Sequence, residues 1–321
     1  MRWSFSASRT FTRCPRQFYY GQIAAYHAAK KDPLRREAFL LKQRKSLPLW
    51  RGNLVHDTIE NLVVPVWRDR QQPDWDAIID TMLETAERQL EFSAAGRYRE
   101  AGMTKTKAGD AYCALVGHEQ DGALSDDDVD RALDEAERAL RNLAAMTDLH
   151  EEITAHTPLF AELRVPTSYD GVSINAQIDL LYFRRFAQPT IVEWKTYEGT
   201  VGNSELQGAL YAWALQNHPK WRVESPEAVQ ILEVQLLKST VIPHQVSADS
   251  LIALEDTIYR SVCDIRAVAG DAKYANVDIA DFPITQNAKN CEYCPFQSLC
   301  SERLRAANDD TVDDYDLAAT G

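Results

Sequence analysis

The sequence has no uncharged apolar run approaching the ~20 residues that a membrane-spanning helix needs. Its start, Met1-Arg-Trp-Ser-Phe-Ser-Ala-Ser-Arg9, lacks the apolar core of a secretory signal. These two absences predict a cytoplasmic protein with no membrane partner. There is no internal repeat and no low-complexity linker, and no G-x-x-x-x-G-K-S/T loop to cradle nucleotide phosphates, which excludes a P-loop module. Cysteine is scarce, with six in 321 residues. In a reducing compartment these are not expected to pair as disulfides, so clustered cysteines read as metal or cluster ligands and isolated ones, Cys113 and Cys263, as buried thiols. Positive charge is short as well: 35 Lys and Arg against 48 Asp and Glu give a net charge of −13. Taken whole, that balance argues against a polyanionic partner.

What is present changes the picture. Hydrophobic residues make up 45% of the chain, enough for a core and for one large domain or two modest ones. The charge is also unevenly spread. Residues 1–50 carry eleven Lys and Arg against only Asp32 and Glu37, a local excess of +9 that leaves −22 on the remaining 271 residues. Arg9, Arg13, Arg16, Arg35, Arg36, Lys42, Arg44 and Lys45 could together grip phosphates while the acidic remainder discourages indiscriminate binding, or they could form a solvated basic arm; charge alone does not separate the two.

Periodicity organises the chain into a helical first half and a mixed second half. Leu54, Val55, Ile59, Leu62 and Val63 stripe a helix over 52–66. Helices are predicted at 75–95 and 127–145, the latter behind a Ser125-Asp-Asp-Asp cap, with a mobile connection over 97–126. Short β-rich runs follow at 159–165, 174–183 and 190–195, then a helix over 204–217, a strand at 229–237 and a helix over 250–268. Strands, helix and strand behind a helical half predict an α/β core. The expected segments are a basic arm at 1–50, a helical lobe at 51–157 whose stretch 67–157 matches no motif, a catalytic core at 158–285, a cysteine segment at 286–305 and an acidic disordered tail at 306–321.

Within Thr190-Ile-Val-Glu-Trp-Lys195 the two-residue period of a strand places Glu193 and Lys195 on one face, with Val192 and Trp194 on the other. Asp179 interrupts an apolar run in the preceding strand, where a carboxylate is costly unless a cation compensates it. A hairpin through the 184–189 turn would let Asp179 and Glu193 converge on one hard divalent ion, with Lys195 beside the attacking water, an arrangement for phosphodiester hydrolysis. Alone, Glu193-x-Lys195 reads equally as an ion pair on an exposed strand. His56, in Gly52-x-x-x-His56, reads as a boundary histidine, and Gln207-x-x-x-Tyr211 as a hydrogen-bonding pair on a helix surface. Near the C-terminus, Cys291-x2-Cys294-x5-Cys300 supplies three clustered thiols that need a fourth ligand, and Cys14 is the candidate. Zinc and an iron–sulfur cubane both remain open; the uneven spacing suits the cubane better.

Taken together and in this order, Cys14, Gly52-x-x-x-His56, Asp179, Glu193-x-Lys195, Gln207-x-x-x-Tyr211 and Cys291-x2-Cys294-x5-Cys300 resemble the RecB-like branch of the PD-(D/E)XK nucleases, in particular its iron–sulfur members, the CRISPR-adaptation exonucleases and AddB-type nuclease domains. The resemblance implies a restriction-endonuclease-like fold, a mixed central sheet flanked by helices, with a helical N-terminal lobe and a 4Fe–4S cluster on the four cysteines joining the N- and C-termini. It implies Mg²⁺ or Mn²⁺ held by His56, Asp179, Glu193 and the Trp194 carbonyl, with Lys195 acting on the water. Gln207 and Tyr211 would help to hold substrate, and Glu162 would be an auxiliary acid. The implied substrate is DNA, single-stranded or at ends, in repair, recombination, CRISPR adaptation or phage defence with protein partners. The first acid follows Ile178 where the family motif has proline, and with no phosphate loop the chain would be a stand-alone nuclease or a nuclease subunit. The competing readings are a DNA-end-binding assembly subunit that does not cut, and a zinc-stapled protein in which Glu193-x-Lys195 is fortuitous.

Overall fold

In a computed structural model the chain is described over residues 2–25, 32–119, 124–184, 188–197, 204–221, 223–270, 277–292 and 294–300. In chain order its elements are β1 (Arg2–Trp3), α1 (Phe5–Arg13), α2 (Pro15–Phe18), α3 (Pro33–Gln43), α4 (Leu47–Thr58), α5 (Val64–Arg68), α6 (Trp75–Ala94), α7 (Lys105–Ala108), α8 (Asp126–Ala145) and α9 (Thr147–Thr154). Then follow β2 (Phe160–Tyr169), β3 (Val172–Phe183), β4 (Pro189–Lys195), α10 (Ser204–Asn217), β5 (Gln230–Gln235), β6 (Thr240–Gln245), α11 (Ala248–Ala269) and α12 (Lys289–Glu292). The chain divides into two compact units, one of residues 1–4 and 45–263, the other of 5–44 and 264–321. Among the described residues no helix is long and apolar enough to cross a membrane.

The first unit is an α/β structure on a mixed six-stranded sheet. Strands β2 and β3 run antiparallel through a tight turn at Asp170 and Gly171, both at positive φ, where glycine carries no steric cost. Antiparallel pairing joins β3 to β4 and β5 to β6; β4 lies parallel to β5, and β1 parallel to β3. Both β2 and β3 run on to the Asp-Gly turn, further than their hydrophobic runs predict. The edge strand β6 goes unforeseen because Pro243 disguises it; an edge tolerates a residue without an N–H. One face of the sheet, with Leu180, Tyr182, Val192, Trp194, Leu232 and Val234, shares a single core with α4, α6 and α8 through Trp50, Leu54, Val55, Met82, Ala136 and Leu140.

Helix α4 starts before the first periodic residue because Ser46 caps it, its Oγ accepting from Leu49 N, and Pro48 sits in its first turn. Over Ile59–Val63 the backbone widens into a π-turn ahead of Pro65, which has no N–H to continue the α pattern. The stretch expected to be mobile is built as far as residue 119. Tyr98, Cys113, Ala114 and Leu115 are buried, and Lys45 N donates to the Ala114 carbonyl at 2.8 Å while Val116 N donates to that of Lys45 at 3.0 Å. Cys113 is the buried thiol the sequence suggests, but Cys263 is exposed. The buried stripe of α11 runs through Leu254, Ile258, Val262 and Ile265, which turns Cys263 outward.

The second unit joins segments from both ends of the chain. Tyr20, Ala24, Ala38, Leu41, Phe296 and Leu299 form its core. Arg16 N donates to the Pro283 carbonyl at 3.2 Å, its Nε to that of Phe282 at 2.7 Å, and the Arg44 guanidinium to that of Pro295. The acidic tail lies outside the described residues, as do 185–187 of the β3–β4 connection.

Candidate active site

Beside the C-terminal end of β4 the first unit opens a cavity of about 1060 Å³, lined by His56, Asp57, Glu60, Glu162, Asp179, Glu193, Lys195, Gln207 and Tyr211 among others. The strand alternation explains how it is furnished: Val192 and Trp194 go to the core while Glu193 and Lys195 face the cavity. The β3–β4 ladder ends at Leu180–Val192, and there the Asp179 carboxylate takes over, its Oδ2 accepting from Trp194 N at 2.9 Å. Helix α4 reaches the same spot, where His56 Nε2 lies 3.1 Å from the Trp194 carbonyl oxygen and Nδ1 lies 3.6 Å from Asp179 Oδ2 and 3.9 Å from Glu162 Oε1. The glycine one turn earlier has a reason, since a Cβ on Gly52 would sit 3.1 Å from Thr196 Oγ1.

Glu193 anchors a network. Lys195 Nζ donates to its Oε1 at 2.7 Å and to Gln207 Oε1 at 3.2 Å; Gln207 Nε2 donates to Glu193 Oε1 at 2.8 Å and to the Tyr211 hydroxyl oxygen at 2.6 Å; that hydroxyl donates to Glu193 Oε2 at 2.9 Å. Gln207 and Tyr211, one turn apart on α10, thus aim at the carboxylate, and Tyr211 is only 4% exposed. Both residues stand beside the proposed metal-binding carboxylate.

The tightest convergence of metal-ligating groups among the described residues is His56, Glu162 and Asp179, with one donor atom from each lying within 4.8 Å of the others. Glu162 stands opposite Asp179 across the β2–β3 pair, between the registered pairs Ala161–Leu180 and Leu163–Ile178. Its φ is +45°, a left-handed conformation that costs a side chain-bearing residue about 1–2 kcal/mol. Gln177 donates to its other oxygen. Such strain at a strand position is characteristic of functional sites. Periodicity alone could not raise Glu162 above other strand acids; the register to Asp179 is what marks it.

The electrostatics are those of crowded anions. Burial and the charge of Glu193 push the Asp179 carboxyl well above its usual range, opposed by His56 and by the Trp194 N–H. Burial works against a charged His56, but Glu162, Asp179 and Glu193 outweigh it and raise its pKa to about 9. Burial likewise disfavours a charged Lys195, and Glu193 more than offsets this, so that its pKa rises. Two carboxylates and an imidazole around one point, with the Trp194 carbonyl adjoining, suit a hard divalent cation, and Glu193 lines the same cavity. Arg51, unremarked in the sequence, ion-pairs with Glu135 of α8 and donates to the Thr196 carbonyl at 2.6 Å, tying the helical lobe to the residue after Lys195.

In the second unit Cys14 is the N-cap of α2, its Sγ accepting from Gln17 N at 3.4 Å, and it is buried. Cys294 and Cys300 pack against the small core there. Burial first, then the charges of Cys294, Cys14 and Cys291, push Cys300 up to about 11, and burial raises Cys294 with added contributions from Cys14 and Cys291. Among the described residues the one grouping of three or more metal-ligating side chains is that on the cavity floor; Cys14, Cys291, Cys294 and Cys300 do not form one. The eight basic residues divide. Arg9, Arg13, Arg36 and Lys42 are exposed in the second unit; the guanidinium groups of Arg16, Arg35 and Arg44 are spent on backbone carbonyls within it; and Lys45 belongs to the first unit. The basic arm is therefore not one uniform phosphate-gripping surface.

No curated protein matches the chain in sequence. A solved structure described as "Crystal structure of SSO0001" is similar at 12% identity over 53% of this chain and 75% of that chain, with a TM-score of 0.28, a likeness too slight to bear on the site. The model of the PD-(D/E)XK nuclease superfamily matches residues 2–301, nearly the whole sequence and every residue of the cavity. The chain therefore belongs to the PD-(D/E)XK nuclease superfamily, whose members are metal-dependent nucleases.

Proposed function

We propose that this protein is a RecB-like deoxyribonuclease of the iron–sulfur branch that hydrolyses DNA phosphodiester bonds, acting on single strands or ends as an exonuclease or end-processing enzyme. The observation that carries this reading is the meeting of His56, Asp179 and Glu162 with the Glu193–Lys195 pair on the floor of one open cavity. His56, Asp179, Glu193 and the Trp194 carbonyl, with Glu162 beside them, would hold Mg²⁺ or Mn²⁺. Bound there, the cation would lower the pKa of a water and polarise the scissile phosphate.

The chain's own residues account for the rest. Lys195, pinned by Glu193 and Gln207, keeps a positive charge where negative charge develops on the phosphate and where the attacking water must sit. Tyr211 and Gln207 hold the Glu193 carboxylate in one orientation. Trp194 N fixes Asp179, and the acid pair fixes His56. Cys14, Cys291, Cys294 and Cys300 would carry a 4Fe–4S cluster. Their place in one unit and their uneven spacing support it, and the cluster would tie the chain's two end segments together. The setting would be DNA repair, recombination, CRISPR adaptation or phage defence, alongside protein partners in the cytoplasm.

Anaerobic purification followed by iron analysis, visible absorption and digestion of end-labelled DNA tests this reading. A brown protein that degrades single strands with Mg²⁺ or Mn²⁺ and is inert in EDTA is expected. A brown protein that binds DNA ends but never cuts would favour the assembly-subunit reading, and a colourless zinc protein would remove the iron–sulfur assignment.

A further inference from the structure

Gln207 and Tyr211 are hydrogen-bonded to Glu193, which leaves a place for other side chains of the cavity in holding the substrate. Among the described residues five large hydrophobic side chains are exposed: Leu49, Tyr197, Val241, Ile252 and Tyr259. Two of the five line this one cavity, Leu49 at 54% exposure in the first turn of α4 and Tyr197 at 51%, two residues beyond Lys195. A solvent-facing aromatic at the mouth of a site floored with carboxylates is out of keeping with the polar side chains around it. The same cavity is lined by Arg164, an exposed cation on β2.

We propose that Tyr197 is a base-stacking residue, with Leu49 as its apolar counterpart, and that the pair makes this site select unpaired DNA. The proposal rests on reading the cavity as a nuclease site. An aromatic face stacks on any base, whatever its identity, so such a contact recognises a single strand without reading sequence. In a duplex each base face is covered by its neighbours, and Tyr197 could reach only a frayed or flipped end. Arg164 would supply the phosphate contact that holds the strand across the carboxylates. The chemical class recognised is a single-stranded deoxyribonucleotide segment with at least one unstacked base at the position next to Lys195.

The test is fluorescence anisotropy of a labelled single-stranded oligonucleotide and of the matching blunt duplex, in EDTA so that nothing is cut, with wild type, Tyr197→Ala, Tyr197→Phe and Leu49→Ala. Tyr197→Ala should weaken single-strand binding about five- to a hundredfold, the range measured for loss of one base stack. Tyr197→Phe should bind like wild type, Leu49→Ala should lose less, and duplex affinity should stay unchanged. Calorimetric Mn²⁺ affinity equal to wild type would show that the variants keep the site folded. Equal single-strand affinity for Tyr197→Ala and wild type, or parallel losses on single strand and duplex, would overturn the inference while leaving the nuclease reading in place. A wild-type protein that neither binds nor cuts DNA would remove both.

Discussion

The cavity in the first unit gathers its charges from elements far apart in sequence, α4, β2, β3 and β4, and fixes each one by hydrogen bonds within a core that also contains the helical lobe. In the second unit Cys14 caps α2, and Cys294 and Cys300 pack against a small core of aromatic and aliphatic residues. One region is held in shape by the protein: Glu193 alone accepts from Lys195, Gln207 and Tyr211. In the other, burial pushes the Cys294 and Cys300 thiols toward the neutral form. The contrast teaches that hydrogen bonds preorganise the oxygen site, while at Cys294 and Cys300 burial opposes the charged form.

Substitutions can break that contrast, and the largest effect is expected at the floor. Asp179→Asn should lower Mn²⁺ affinity by at least about a hundredfold, the upper end of what changes around a ligand usually cost, with the fold intact by circular dichroism. Unchanged calorimetric affinity would mean that Asp179 only caps Trp194. Next, Cys300→Ser should cost the protein its iron and visible colour, while Mn²⁺ titrates with wild-type affinity. Loss of both together would show that the sulfur centre also organises the floor. Tyr211→Phe sharpens the comparison from within the preorganised region. Removing a hydrogen bond to a buried carboxylate should reduce stability by about 1.5–3 kcal/mol, read from the urea midpoint at constant slope. The smallest effect belongs to Cys263→Ser on the exposed face of α11, expected within about 0.5 kcal/mol of wild type and with full iron content.

Local pattern made much of this architecture legible. α10 spans the predicted 204–217, and the α8 cap at Ser125 and the Glu193–Lys195 face follow from capping chemistry and strand period. Of the residues that carried the family resemblance, His56, Asp179, Glu193, Lys195, Gln207 and Tyr211 line one cavity, because a motif fixes residue types that a shared fold then brings together. What did not show was whatever depends on register or on which way a side chain turns. Glu162 became notable only once it stood opposite Asp179 at positive φ. Cys263 faces outward because its helix buries another stripe, and the arginines of the basic arm divide between solvent and backbone carbonyls. Pro243 concealed an edge strand, and the connection over 97–126 was judged by its polar composition when four of its side chains are buried.

The central claim, that the carboxylate floor with Lys195 cleaves phosphodiester bonds, is tested most directly by single-turnover digestion of end-labelled single-stranded DNA with Mn²⁺, comparing wild type and Lys195→Ala at saturating protein. A fall of about 10²–10⁴-fold in the cleavage rate, with Mn²⁺ and DNA still bound, is the predicted result. Equal rates for the two proteins would contradict the account, since activity independent of Lys195 could not arise at this site by this chemistry.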